Sequence, residues 1–405
     1  MEGPFLSRIS VIGLDGSPLR EEARSALKEA ALVAGGRRHL EAAGVDPSRS
    51  VELRGDLSEA LAKLESSEGP VAVLASGDPG FFGIVRLLSE RFGRERLCVI
   101  PGVSSVALAF ARAGLPWDDA LVVSAHGREP RRALNACRAH PKVAVLTAPG
   151  FGPAELGREL AGLERIFLVA ERLGEPDERL FCGDAAALAG EEWRDPNVVL
   201  VLDGRRPATQ KGWAWPRPPG GGWALPEEEF EHRAGMITRS EVRALVLARL
   251  GPRVGDLVWD VGAGSGSVAV ECARLGAAAV AVEREGASAA RIRQNAARHG
   301  VCLQVVEGEA PEALSHLPEP DAVFVGGTGG AFEEILRTSA ARARRSVVLT
   351  LISLERVVPA GEILAECGLE VETALMQTAR LRGVGAWHRL AAENPTFVVC
   401  GRRPC

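Results

Sequence analysis

Along the chain, short apolar runs alternate with longer segments in which apolar residues recur at helical spacing among polar ones. Between Arg8 and Asp203 the runs are "ISVIG", "VAVLASGDP", "LCVIPG", "LVVSAHG", "VAVLTAPG", "RIFLVAERLG" and "NVVLVLDG". Strands separated by amphipathic segments predict an α/β domain over residues 1–203. The periodicity then stops. "GRRPATQKGWAWPRPPGGGWALPEEEF", Gly204 to Phe230, is rich in Pro, Gly and Trp and marks a linker over 204–226. Its tryptophans Trp213, Trp215 and Trp223 admit two readings, a strap docked on a domain or a stacking surface for a planar ligand. From 227 to 405, the strands "LVWDV", "AAAVAVE", "LQVVEG", "AVFVGG" and "SVVLTLI" are separated by helix-length stretches, with "EVETALM" and "TFVVCG" as later strands. That order predicts an open, doubly wound, Rossmann-like sheet. The two halves carry different glycine patterns, so two unlike α/β domains are expected, each with its own ligand site.

Composition narrows the function. At 405 residues and 46% hydrophobic content, the chain can fill the cores of two or three domains. A formal net charge of -5 provides no whole-chain positive field for nucleic acid or an anionic membrane. No apolar run reaches the ~20 residues that cross a bilayer, and "MEGPFLSRIS" lacks the basic-then-apolar order of a secretory signal. A cytoplasmic protein is expected. The eight cysteines form no CxxC pair and no Cys/His cluster at zinc-ligand spacing, and the histidines are scattered, so reduced thiols and no metal are expected.

The stretch richest in chemistry is "VWDVGAGSGSVAVE", Val258 to Glu271. Glycines at a strand end let the backbone turn tightly and approach a ligand, and the helix that follows offers free N–H groups. Gly262, Gly264 and Gly266 are placed for this. A dinucleotide fingerprint wants its third glycine at position 267, which is Ser267, so a nicotinamide enzyme is the disfavoured alternative. The GxGxG spacing, with Asp260 before it and Glu283 ending the next strand, resembles the class I S-adenosylmethionine (SAM) methyltransferases. In that fold the acid at the second strand's end accepts hydrogen bonds from the ribose hydroxyls. The resemblance places the adenine ring by Glu309 and Ala310 in "VVEGEAPEAL", and "VGGTGG" forms a loop on the same sheet edge. At the fourth strand, the Asn-Pro-Pro-aromatic and Pro-Cys motifs of nucleobase methyltransferases are missing, which disfavours a nucleic-acid substrate. Upstream, "GMITRSEVRALVLARL" predicts a helix capped by Thr238 with Glu241 three residues on, a capping box.

Together, "GMITRSEVR", the glycine loop, "VEGEAPEAL", "VGGTGG" and "ENPTFVVCG" resemble the cobalamin-pathway methyltransferases that methylate C-15 and decarboxylate, from about Glu227 to Arg403. The resemblance implies SAM contacts at Thr238, at Gly262, Ala263, Gly264, Ser265 and Gly266, at Glu283 and at Ala310. The N-terminal stretches "SVIGLDG", "VLASGDPGFFGIVRLL" and "VIPGVSSVALAFARAGLPWDDALVVSAHGR" resemble the tetrapyrrole methylases, in the branch that methylates precorrin C-5. That family binds SAM between two α/β lobes, which implies contacts at Gly13, Gly16, Gly77, Asp78 and Phe81, and along the "PGVSS" loop at Ser105. By residue type alone, Asp78 and Phe81 also suit a plain turn with a packed ring, and Ser104 or Ser105 a helix cap. The first turn, "GLDG", departs from the family's Gly-x-Gly-Pro-Gly.

Both halves in one chain resemble the decarboxylating precorrin-6Y C-5,15-methyltransferase family. The resemblance implies two SAM sites, precorrin-6B as substrate, precorrin-8 as product and a homo-oligomer. Methyl transfer to an electron-rich meso carbon needs positioning more than a covalent catalyst, which accords with the lack of a Ser/His/Asp or Cys/His arrangement in the sequence. A substrate rich in acetates and propionates calls for arginines, and Arg239, Arg243, Arg380 and Arg382 are the candidates. Trp387 and His388 sit in "ARLRGVGAWHRL", read as a loop that covers the macrocycle or merely links strands. A second reading keeps one half active and makes the other a tetrapyrrole-binding scaffold.

Overall fold

The computed structural model describes residues 8–126, 129–205, 222–233 and 235–404. By packing, they fall into two compact units. One is drawn from Met1–Arg128, Ala144–Arg158 and Arg165–Gln210, the other from Glu129–Val143, Glu159–Glu164 and Lys211–Cys405.

The N-terminal half holds two five-stranded sheets. The first contains β1 (Ile9–Leu14), β2 (Leu32–Gly35), β3 (Ser50–Glu52), β4 (Val71–Ser76) and β5 (Leu97–Ile100), in the order β3-β2-β4-β1-β5. All its pairings are parallel. Parallel sheets are covered on both faces, and β4 accordingly reads "VAVLAS" with its first four residues buried. The second contains β6 (Leu121–Ser124), β7 (Lys142–Leu146), β8 (Arg165–Glu171), β9 (Arg179–Gly183) and β10 (Asn197–Asp203), in the order β6-β7-β10-β8-β9, with β8 antiparallel to both β10 and β9. Strands β2, β3 and β9 are additions to the sequence reading. β2 is only four residues, "LVAG", next to a helix, too short to stand out from the helical period around it.

The C-terminal half is built on a seven-stranded sheet. It comprises β11 (Leu257–Val261), β12 (Ala278–Glu283), β13 (Gln304–Glu307), β14 (Ala322–Val325), β15 (Ser346–Leu351), β16 (Glu370–Met376) and, after a hairpin, β19 (Thr396–Arg402). The order is β13-β12-β11-β14-β15-β19-β16, parallel except for β19, which runs antiparallel to its neighbours. Strand order reverses between β11 and β14, so their C-terminal ends open the crevice in which such sheets take ligands. The core beneath is apolar, with Trp259, Leu336 and Leu349 fully buried.

"ARLRGVGAWHRL" is a hairpin rather than a loop: β17 (Ala379–Val384) pairs antiparallel with β18 (Trp387–Ala392). Leu381 pairs with Leu390 and Val384 with Trp387 across the two arms, and Gly385, at φ +61°, turns the chain. Trp387 and His388 lie exposed on it. Of the linker tryptophans, Trp213 and Trp215 lie outside the described residues, and Trp223 is half exposed.

Candidate functional site

In the N-terminal half, three strand ends meet backbone to backbone. A Cβ on Gly13, at the end of β1, would lie 1.9 Å from the Gly77 carbonyl oxygen and 2.4 Å from the Gly102 nitrogen. Gly77, at φ +55°, donates to the Leu14 carbonyl, and Gly102 donates to that of Gly77 at 3.1 Å. Only glycine fits such a crossing. Beside it lies a cavity of about 620 Å³ lined from both sheets, with Gly16, Gly77, Phe81 and Ser105 on one side and Thr147 and Asn197 on the other. Ser104 caps the following helix, Ser105–Ala113, accepting from the Ala107 N–H at 3.2 Å, which leaves Ser105 facing the cavity. Phe81 and Phe82 pack edge to face with ring centres 5.0 Å apart.

Asp78 does not line this cavity. Its Oδ1 accepts the Gly80 N–H at 2.8 Å, closing the turn. Gly13 serves through the crossing rather than as a lining residue. Asp15 takes a structural part the sequence did not suggest: it accepts the Val103 N–H at 2.7 Å and ties the β1 turn to the "PGVSS" loop. Four further residues enter on the cavity wall, Arg38, His39, Ser76 and Glu175, which hydrogen-bond to one another. They are up to 137 residues apart in sequence, and no spacing announced them.

In the C-terminal half, the loop after β11 separates two hollows. One, of about 410 Å³, is lined by Thr238, Arg239, Gly262, Ala263, Gly264, Ser265 and Thr350 among others. The other, about 160 Å³, is lined by Gly262, Glu283, Glu309, Ala310 and Thr328. Gly262, at φ +66°, lets the Gly327 carbonyl approach to within 2.3 Å of where a Cβ would be, so the β11 and β14 loops interlock. Gly264, at φ +57°, faces open space instead. Its N–H donates to Glu283 Oε2 at 2.9 Å, and Glu283 Oε1 accepts from the Glu285 N–H at 3.0 Å. Ser265 is buried, its carbonyl held by Asn295 at 2.8 Å. Ala310 packs against the core, while Glu309 is exposed and pairs with Arg284 at 3.3 Å.

The expected capping box does not form. The helix runs Ser240–Leu250 with Arg239 at the N-cap, and no side chain caps it in the usual way. The buried Glu227 carboxylate takes the Ser240 N–H at 2.9 Å, while Glu241 is held by Arg380 at 2.9 Å. Thr238, one residue further out, lines the larger hollow, and its carbonyl binds Arg243. The arginine candidates separate clearly. Arg243 is fully buried, donates to the Thr238 and Leu225 carbonyls, lies 3.6 Å from Glu271 and stacks over Phe230, so it holds the fold and cannot meet a substrate. Arg380 is already engaged by Glu227 at 3.4 Å and by Glu241. Arg382 is exposed on the hairpin, 3.8 Å from Glu393. Arg239 alone of the four lines the larger hollow, with Glu393 3.2 Å from its guanidinium.

Asp260 is fully buried at the root of the glycine loop. It accepts the Ala269 N–H at 2.9 Å, and its second oxygen finds no partner among the described residues. Burial pushes its carboxyl up to about 7, with the Glu283 charge adding and the Ala269 bond opposing. The folded state therefore holds a proton that the unfolded chain releases near 3.8, and this group's contribution to stability falls as pH rises from about 4 to 7. The slope is at most about 1.4 kcal/mol per pH unit. Asp260→Asn is expected to flatten that part of the stability profile in SAM-free protein, as read by thermal melts across the window; unchanged slopes would contradict it.

Among the described residues, no group of three His, Cys, Asp or Glu side chains could hold a metal, and no helix is long and apolar enough to cross a membrane. The described cysteines are free.

Comparison with known proteins fits both halves. The precorrin methyltransferase domain family matches residues 228–399, and the tetrapyrrole (corrin/porphyrin) methylase family matches residues 16–189. A Sinorhizobium protein named precorrin-6Y C(5,15)-methyltransferase [decarboxylating] is 40% identical over 340 residues, 80% of this chain and 79% of its own. A Salmonella typhimurium protein named cobalt-precorrin-7 C(5)-methyltransferase is 33% identical over 187 residues, 45% of this chain and 91% of its own. A Pyrobaculum calidifontis protein named "Probable cobalt-precorrin-6B C(15)-methyltransferase (decarboxylating)" is 34% identical over 182 residues, 43% of this chain and 93% of its own.

Proposed function

Because the chain belongs to the decarboxylating precorrin-6Y C(5,15)-methyltransferases, SAM-dependent enzymes of cobalamin biosynthesis, we propose that it divides the work between two sites, one SAM in each half. The N-terminal domain, over about 1–203, methylates C-5 of the tetrapyrrole. The C-terminal domain, over about 227–405, methylates C-15 and releases the C-12 acetate as carbon dioxide, so that precorrin-6B becomes precorrin-8. The observation that carries this reading is the presence of two separately built glycine crossings, each beside a cavity: Gly13, Gly77 and Gly102 in one half, Gly262 and Gly327 in the other.

Bound SAM supplies an electrophilic methyl group at each site. In the C-terminal half, Gly264 leaves room that any side chain would fill, and Glu283 holds two acceptor oxygens beside it for hydroxyls. Thr238, Ala263 and Ser265 line the larger hollow, Glu309 and Ala310 the smaller, and the two hollows suit the two ends of one elongated cofactor. Arg239 is then the group to meet a substrate carboxylate. In the N-terminal half, Gly16, Gly77, Phe81 and Ser105 would hold the cofactor. Neither transfer needs a covalent nucleophile, and the decarboxylation can use the conjugated macrocycle as its electron sink, so the protein's task is orientation. The enzyme works in the cytoplasm, without nucleic acid. Calorimetric titration with SAM tests the division: two sites per chain are expected, and a single site would contradict it.

We further propose that the chain self-associates through the hairpin, where Leu381, Val384, Trp387 and Leu390 are all more than half exposed and Leu381 faces Leu390 across the two strands. Replacing both leucines by glutamate is expected to reduce the mass to that of one chain in light scattering; an unchanged mass would contradict the assignment.

A further inference from the structure

Methylation of a meso carbon has a second half that positioning alone does not supply. Once C-5 has gained its methyl group, it still carries its hydrogen, and the ring recovers its conjugation only when that hydrogen leaves as a proton. A positioned acceptor for such a proton contributes typically 10²- to 10⁴-fold in rate. Resting on the reading that the N-terminal half methylates C-5, we propose that Ser76 and His39 are the proton-accepting pair of that reaction.

Ser76 ends β4 directly before Gly77, so the glycine crossing that shapes the site also fixes this hydroxyl, which is exposed on the cavity wall. Its Oγ lies 2.9 Å from His39 Nε2 and 3.1 Å from Arg38 Nη2. Arg38 Nη2 is in turn 3.3 Å from His39 Nε2, and Arg38 Nη1 is bound to Glu175 at 3.1 Å. A guanidinium has only donors, so Arg38 favours the tautomer in which Nε2 presents a lone pair and Nδ1 carries the hydrogen. In that tautomer the Ser76 hydroxyl donates to His39 while its oxygen accepts from Arg38, which leaves an oxygen lone pair for the cavity. Burial first, and then the Arg38 charge, hold His39 below the ordinary imidazole range against the opposing charge of Glu175, so the ring is neutral and ready to accept. Glu175 keeps Arg38 in place; Arg38 and Glu175 are positioning residues.

The bookkeeping closes without another reagent. C-5 forms a bond to the methyl carbon, and the electron pair of the broken carbon–sulfur bond stays on sulfur. The C-5 to hydrogen pair returns to the ring, the proton passes to Ser76 Oγ, and the serine's own proton passes to His39 Nε2, from which solvent removes it. A weak base suffices, because the carbon acid is the cationic adduct.

The test uses the full-length chain with SAM and precorrin-6B, reading each methyl group by mass spectrometry, and Ser76→Ala and His39→Asn as variants. Each variant is expected to slow gain of the C-5 methyl by about 100-fold or more at saturating substrate, with KM for SAM unchanged and C-15 methylation and carbon dioxide release continuing. The double variant should be no slower than either single one, as for a pair acting as a unit. Independently of turnover, NMR of histidine-labelled, SAM-free protein should find His39 with its hydrogen on Nδ1 and a Nε2 resonance that moves in Ser76→Ala. C-5 methylation retained within about threefold in either variant, an effect confined to KM for the tetrapyrrole, or a hydrogen on Nε2 would overturn the pair. A wild-type chain that adds no methyl at C-5 would instead overturn the functional reading on which the pair rests.

Discussion

Gly264→Asp is expected to abolish C-15 methylation and decarboxylation while the chain folds and keeps the SAM site of its N-terminal half. A Cβ at Gly264 meets nothing within 4 Å, so the substitution collides with no part of the protein. The φ of +57° costs a non-glycine residue about 1 kcal/mol, and Asp is among the residues that bear it best. The cost falls on the ligand: the new carboxylate projects into the room left beside the loop, next to Glu283, whose Oε2 already accepts from the Gly264 N–H. Like charges so placed repel, and the hydroxyls that Glu283 would receive are displaced. A loss of SAM affinity of at least about 100-fold, about 2.7 kcal/mol, is expected at this site. Calorimetry should count one SAM per chain instead of two, and a variant that still binds two and still releases carbon dioxide would remove the glycine loop from the site.

Gly13→Val is expected to do the converse, and by a different route. Here the Cβ would stand 1.9 Å from one backbone atom and 2.4 Å from another, neither of which can swing aside as a side-chain tip could. The β1, β4 and β5 loops must part, and with them Gly77 and the turn that seats Phe81. Overpacking of a core typically costs 1–3 kcal/mol, and three displaced loops put this substitution at or above the top of that range. C-5 methylation should be lost and the melting of the N-terminal half lowered, with carbon dioxide release from the C-terminal half continuing. Unaltered C-5 methylation would mean that the crossing is incidental to the site.

Much of this was legible in the sequence wherever a local rule decides. β11, the glycine loop and the helix after it follow from an apolar run, backbone turns that need glycine and a helix N-terminus, all within the 18 contiguous residues from Leu257 to Arg274. The seven-stranded sheet was legible because each buried strand is a nearly unbroken apolar run. Misreadings arose where a distant residue outcompetes a local one. Thr238 and Glu241 have capping-box spacing, but Glu227 reaches the Ser240 N–H first and Arg380 draws Glu241 away. Arg243 has the composition of a solvated or substrate-binding arginine, and only the fold reveals Glu271, Phe230 and two carbonyls around it. The hairpin failed for another reason: its glycines and charged residues resemble a loop, and its cross-strand pairing is invisible to a one-dimensional pattern. The Ser76–His39 pair had no local signal at all, since β4 and the segment after β2 come together only when the parallel sheet forms.

Mass spectrometry of the tetrapyrrole after incubating the purified protein with SAM and precorrin-6B tests most directly whether one chain carries both chemistries. A product that has gained two methyl groups and lost one carbon dioxide is the expected result; a product with a single added methyl, or with its carboxylates all intact, would contradict it.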